Sequence, residues 1–206
     1  MAKDIYRELG HTGTEIWSGY IERPTLSSTI LSDDYLTDWT VDRIDRMLRS
    51  DGQVAALWRA ISLSIQGAEW TLEPASGSKE DRAIADFVES NLWPLWPDFF
   101  RQALLYLPYG FMLFEVVYEP RDGQVCWKKL APRLPWTVDR WYVKDGQLDY
   151  IVQYAQNPET GEMGYWEIPA HKILRFTNEQ QGLGFEGTSL FRAAYKHWKI
   201  KDVLYK

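Results

Sequence analysis

Cysteine and histidine are scarce in this sequence of 206 residues, and their scarcity excludes several classes of site. The single cysteine, Cys126, leaves no partner for an internal disulfide and no thiolate cluster for a zinc site. None of the three histidines has a histidine or glutamate at the spacing of a helical metalloprotease motif. No nucleophile-elbow motif occurs either. We therefore predict a non-enzymatic chain with no metal, no cofactor and an inert, buried Cys126.

The sequence also lacks an N-terminal signal peptide and any apolar run long enough to span a bilayer. We predict no membrane contact. The net charge of -6 argues against a dedicated nucleic-acid binder, which would carry a basic face. Aromatic residues, by contrast, are abundant, with 11 Trp and 12 Tyr. They indicate a tryptophan-rich core, a surface buried against partners, or both.

Helical periodicity predicts four helices between residues 40 and 107. Their boundaries are predicted by Thr40 and Ser78 as N-caps, by residues 50–52 and Gly67 as breaks, and by Pro97 in a first turn. A short strand is predicted at residues 70–73. Residues 1–35 lack clear periodicity and are predicted to form an N-terminal arm, which either stays disordered or orders on a neighbouring subunit.

From residue 111 onward the helical period is replaced by that of strands. Two Asp-Gly pairs, at residues 122–123 and 145–146, are typical of tight hairpin turns, and residues 157–161 form a longer turn. The predicted strands are residues 111–118, 125–130, 136–143, 148–154, 165–168 and 172–176. We predict an antiparallel β meander with one face on the preceding helices, hence an α+β fold.

A long final helix is predicted over residues 188–206, capped by Thr188 or Ser189. It has no stop signal, and we expect the natural polypeptide to continue. Residues 181–206 contain five basic and two acidic residues, a net charge of +3, which leaves -9 for the other residues.

One face of this helix is predicted to be basic, because Arg192, Lys196 and Lys199 follow at spacings of four and three. These three residues are candidates to face a neighbouring subunit or DNA, and the alternative is a solvated surface. The opposite side is predicted to pack on the sheet through Leu190, Ala193, Ala194 and His197.

Residues 182–187 spell G-x-G-x-x-G, the fingerprint of a dinucleotide-binding turn. Four residues separate this motif from the preceding strand, and Glu186 would place a carboxylate beside the phosphates. The preceding strand also ends an antiparallel meander and does not open a parallel βαβ unit. We therefore predict a flexible connection without a nucleotide.

Glu115 lies inside an apolar strand, where a carboxylate is unusual. A catalytic acid and an acid with a basic partner on the solvent face of the sheet both fit this position. We predict the partnered acid.

Six segments, in this order and spacing, resemble the portal proteins of tailed bacteriophages, especially the Mu-type branch. They are MLRSDGQV (47–54), AEWTLEP (68–74), LPYGF (107–111), FEVVY (114–118), IPAHKIL (168–174) and GTSLFRAAY (187–195). The resemblance covers about residues 40–200 and adds little for residues 1–35.

The resemblance implies a homo-oligomeric, usually dodecameric ring at one capsid vertex of the virion, assembled in the host cytoplasm. Such a ring passes double-stranded DNA and binds the large terminase, head-tail connector proteins and the capsid or scaffold protein. Residues 36–187 would form the peripheral wing domain, and residues 188–206 would lead toward the stem. In this family the wing has no catalytic residues, and an acidic balance fits a channel along which DNA slides.

Two other functions remain open on the sequence alone. A carbohydrate-active enzyme would use surface tryptophans as stacking platforms and a pair of carboxylates as acid and base. A small adaptor would bind a protein partner through its aromatic residues. A cleft that joins two nearby carboxylates would favour the enzyme, whereas flat flanks complementary to further copies would favour the portal.

Overall fold

The computed structural model describes residues 19–22, 40–157 and 160–205. Within these ranges helices and antiparallel strands are combined, which confirms the α+β fold class. The helices are α1 (Val41–Ser50), α2 (Gly52–Gln66), α3 (Lys79–Leu92), α4 (Trp96–Ala103), α5 (Tyr106–Tyr109) and α6 (Tyr195–Leu204). The strands are β1 (Gly19–Glu22), β2 (Phe111–Arg121), β3 (Gln124–Arg133), β4 (Val138–Lys144), β5 (Gln147–Gln156), β6 (Met163–Pro169) and β7 (Ile173–Thr177).

The N-caps predicted at Thr40 and Ser78 are confirmed. The side chain of Thr40 accepts the backbone N–H of Arg43 at the start of α1. The side chain of Ser78 accepts the backbone N–H of Asp81 at the start of α3. Asp51 ends α1 and caps α2, which ends at Gly67. The predicted strand at residues 70–73 is wrong.

Trp70, inside that predicted strand, takes part in an aromatic cluster. Its ring lies 4.9 Å from the ring of Phe100 and 5.7 Å from that of Trp96, both on α4. The segment therefore packs against α4 through the Trp70 ring and pairs with no strand.

The strands form two sheets and not one continuous meander. An outer sheet has the order β1-β4-β5-β6, and an inner sheet has the order β3-β2-β7. The chain passes to the outer sheet after β3, through a 3₁₀ turn at Pro135–Thr137. It returns to the inner sheet after β6, where Pro169 and a 3₁₀ turn at Ala170–Lys172 redirect it. β7 then pairs with β2, which is distant in sequence.

The two Asp-Gly hairpins are confirmed. Asp122 and Gly123 have φ of 53° and 78°, and Asp145 and Gly146 have φ of 51° and 70°. Positive φ at both central residues is the mark of the type I′ turn, whose twist matches that of paired strands. The first turn joins β2 to β3, and the second joins β4 to β5.

Strand β2 separates two cores. Phe111 and Leu113 point toward the outer sheet and pack with Trp141 and Ile151. Met112 and Phe114 point the other way and pack on α4. All four consecutive β2 residues, 111–114, are at most 2% exposed. The layers therefore run from helices through the inner sheet to the outer sheet.

Most of the predicted N-terminal arm lies outside the described residues. Its described part, β1, pairs antiparallel with β4 of the same chain, with Tyr20 opposite Tyr142. The arm therefore contributes an edge strand to the outer sheet.

Candidate functional site

The predicted start of the final helix at residue 188 is wrong, because a tertiary contact occupies the expected cap. The Ser189 hydroxyl donates to the carbonyl oxygen of Pro108 and accepts the backbone N–H of Phe191. Ser189 thus anchors the chain to α5. The segment continues in turns, and α6 begins only at Tyr195.

An aromatic stripe holds the terminal segment on α1. Phe191, Tyr195 and Trp198, spaced by four and three residues, are all buried. They meet Ile44 and Met47 of α1 in one cluster, so the predicted packing of this helix on the sheet is wrong. The four residues predicted to face the sheet are all exposed, namely Leu190, Ala193, Ala194 and His197.

Two ion pairs fasten α6 to the first two helices. Lys201 Nζ lies 2.8 Å from Asp51 Oδ2, and Arg46 Nη2 lies 3.1 Å from Asp202 Oδ2. The Arg46 guanidinium also lies over the ring of Trp198 at 5.7 Å. The Asp51 carboxylate in addition accepts two backbone N–H groups at the start of α2. The hydrogen bond from Lys201 is the main reason why the pKa of Asp51 lies below its ordinary value.

Replacement of Asp51 by alanine should lower the free energy of unfolding by about 2 kcal/mol, because both the N-cap and the pair with Lys201 are lost. Asp51→Asn keeps a capping oxygen, so its loss should be smaller. Urea denaturation measures the free energy of unfolding of both variants.

Because the folded-state pKa of Asp51 is lowered, its ionic contribution is present above the unfolded pKa, about 3.9. That contribution disappears as the pH falls through the folded pKa, and a gap between wild type and Asp51→Asn that persists below it would contradict this assignment.

The three basic candidates flank the buried aromatic stripe. Arg192 lies in the turn before α6 and is half-buried. Lys196 is exposed, and Lys199 places its Nζ 5.9 Å from the ring centroid of Tyr195. Lys196 and Lys199 are neighbours on the helix surface, being three residues apart. Whether these residues contact a subunit or DNA stays a prediction.

Glu115 has the basic partners that the sequence predicted. Its two oxygens bind Arg133 of β3 and Lys172, which follows β6, the latter at 2.7 Å. Burial alone would raise the pKa of Glu115, but hydrogen bonds from Lys172 and Arg133 outweigh it and hold the pKa below the ordinary value. The Glu115 carboxylate is ionised, and each of its oxygens pairs with a base, so it connects three segments of the chain. A carboxylate held in this way is poorly suited to proton transfer.

Two glycines of the G-x-G-x-x-G motif, Gly184 and Gly187, allow close backbone packing. A Cβ on Gly184 would lie 2.9 Å from the carbonyl oxygen of Gln181. A Cβ on Gly187 would overlap the carbonyl oxygen of Asn178. Glu186 accepts the indole N–H of Trp141 at 3.3 Å. After Gly187 the chain has no helix until α6 begins at Tyr195, so the motif does not open a helix, which a pyrophosphate site of this class requires.

Calorimetric titration with NAD, ATP and GTP is expected to show no heat beyond dilution, because no helix N-terminus follows the glycines directly. Micromolar binding that is abolished by Gly184→Val would contradict this expectation. Urea denaturation of the Gly184→Val variant would show whether any loss reflects unfolding alone.

An open cleft of about 230 Å³ lies between α1, α2 and α5. The one carboxylate that lines it, Asp45, accepts the Tyr109 hydroxyl at 3.1 Å and pairs with Arg49 at 2.8 Å. Burial, and next the charge of Asp45, raise the pKa of Tyr109. This cleft lacks the two carboxylates that the carbohydrate-active alternative requires.

Over the described ranges, no group of three or more His, Cys, Asp or Glu side chains is arranged to hold a metal ion. No helix in the same ranges combines the length and apolar character needed to cross a membrane. Cys126 is buried, as predicted.

The outward face of the outer sheet carries a group of tyrosines that sequence reasoning missed, which we call the tyrosine face. It consists of Tyr20, Tyr142, Tyr150, Tyr154 and Tyr165. Tyr142 and Tyr150 stack with their ring centroids 4.6 Å apart, and Arg140 lies over the rings of Tyr20 and Tyr165. The alternation of Tyr150 and Tyr154 with core residues of β5 was the signal available in the sequence.

Comparison with protein families agrees with the sequence resemblance. The family model described as the portal protein of Mu bacteriophage matches residues 41–206, from the first residue of α1 to the end of the chain. The match includes the six helices and the strands β2 to β7, whereas β1 precedes it. The chain therefore belongs to the Mu-type family of phage portal proteins, which are structural components of the capsid.

Proposed function

We propose that this chain is the wing part of a closed portal ring that passes double-stranded DNA during packaging and ejection. The family match over residues 41–206 is the observation that carries the proposal. The net charge of -6 supports it, because a strongly basic bore would hold phosphates through counterion release. The pairing of Glu115 with two bases also favours a structural role over an enzymatic one.

In this proposal residues 1–35 form the arm, residues 36–187 the wing, and residues 188–206 the lead toward the stem. The ring, a dodecamer, assembles in the host cytoplasm and resides at the portal vertex of the virion. Its partners are further copies of itself, the large terminase, head-tail connector proteins, and the capsid or scaffold protein. DNA is contacted without sequence preference.

The terminal segment supports a contact role for Arg192, Lys196 and Lys199. The aromatic stripe and the two ion pairs fix α6 on α1 and α2, so the neighbouring basic side chains are presented from a rigid base. Each exposed ion pair formed with another subunit contributes only about 0–1 kcal/mol, but a closed ring repeats it at every interface.

Electron microscopy and mass photometry of the full-length protein test the proposal. We expect closed rings with cyclic symmetry, since identical head-to-tail contacts either close or grow into filaments. Monomers under every assembly condition would contradict the ring and favour the adaptor alternative, in which the tyrosine face binds a different protein.

A further inference from the structure

A ring joined head to tail needs two different surfaces that complement each other. We infer that the hairpin of β5 and β6 in one subunit binds the basic segment around α6 in the next. This inference rests on the proposed ring and names the two surfaces that close it. The occupant of the hairpin is thus a second copy of this chain.

The hairpin, residues 147–169, is acidic and aromatic. It contains four acidic residues and no lysine or arginine. Of the acids, Asp149, Glu162 and Glu167 are exposed. Large hydrophobic side chains are exposed beside them, namely Tyr154, Met163, Tyr165 and Trp166. Tyrosine and tryptophan at an exposed, charge-bearing site are typical of residues that dominate binding energy in protein interfaces.

The basic segment, residues 192–201, has the opposite charge. It contains four basic residues and no acid. Lys201 is paired with Asp51, and the other three are the basic candidates Arg192, Lys196 and Lys199. Exposed apolar side chains accompany these as well, namely Ile200 within the segment and Val203, Leu204 and Tyr205 just after it. Each surface thus offers apolar area together with charge of one sign.

The two surfaces belong to different layers of the molecule. The basic segment is anchored on α1 through Tyr195 and Trp198, whereas the hairpin buries Ile151 and Ile168 in the core between the sheets. One subunit therefore presents the surfaces separately. Complementary charge would set the orientation of two subunits and speed their encounter, while the aromatic residues would supply contact area.

Charge reversal in the full-length protein tests this pairing. One variant carries Arg192→Glu, Lys196→Glu and Lys199→Glu, and another carries Asp149→Lys, Glu162→Lys and Glu167→Lys. Each should lower the fraction of subunits in rings, measured by mass photometry at fixed concentration, by about tenfold or more. The six changes together restore opposite charges and should return most of the ring fraction.

A matched control for the hairpin variant carries Glu69→Lys, Glu73→Lys and Asp86→Lys, the same change of charge at exposed positions outside the hairpin. It should form rings like the wild type. Recovery in the sixfold variant also shows that none of its changes prevents folding. Three outcomes would overturn the inference and leave the proposed function standing. They are rings that survive either triple reversal, a sixfold variant that does not recover its rings, and a control that loses rings to the same extent. Absence of rings in the wild type would overturn the proposed function with it.

Discussion

Replacement of Gly187 by alanine should lower the free energy of unfolding by about 3–5 kcal/mol, measured by urea denaturation. Gly187 has φ of +57°, and a Cβ there would overlap the carbonyl oxygen of Asn178 and lie 2.8 Å from that of Gly110. Both are backbone atoms, and the N–H of Asn178 donates to Gly110 at 2.7 Å. Neither carbonyl can move aside without loss of the contact between the loop after β7 and the turn before β2.

Gly123→Ala is the matched control. Gly123 also has positive φ, +78°, but a Cβ there meets nothing within 4 Å. Its loss should be only the conformational part, about 1–2 kcal/mol. Equal losses in the two variants would show that the close approach at Gly187 contributes nothing.

Tyr195→Ala should remove about 3–5 kcal/mol from the free energy of unfolding, the range for deletion of a large buried aromatic side chain. Tyr195 is fully buried and stacks beside Trp198 in the cluster with Ile44 and Met47. Its removal leaves a cavity between α6 and α1. Urea denaturation measures the loss.

His197→Ala provides the comparison, because His197 is exposed two residues further along α6. A change within about 0.5 kcal/mol is expected, as for surface substitutions in general. If His197→Ala were instead the more destabilising of the two, the helix would face α1 with its other side and the correction to its predicted orientation would fail.

The features that the sequence predicted well depend on residues close to one another in the chain. Thr40 and Ser78 cap helices through N–H groups three residues away. Asp122 and Gly123 determine their turn through their own φ preferences. Such local preferences are readable because few competing partners exist at that range.

The errors arose where a distant residue competes for the same group. Ser189 has the chemistry of an N-cap, but its hydroxyl binds Pro108, which is 81 residues away along the chain. Likewise, the alternation in β7 predicts a strand but cannot decide whether β6 or β2 is its neighbour. The partnered state of Glu115 was predicted, whereas Arg133 and Lys172 follow only from the register of the inner sheet and the turn after β6.

Strand β2 gives the fold a mechanical property that neither sheet would have alone. Its residues 111–114 alternate between two cores and are buried in both directions. If either core opens, β2 is displaced and its contacts in the other core are lost as well. The layers should therefore unfold as one cooperative unit. Close-packed interiors transmit strain with little compression. A force applied to the tyrosine face would accordingly displace both sheets together and be transmitted to α4 with little deformation of the layers.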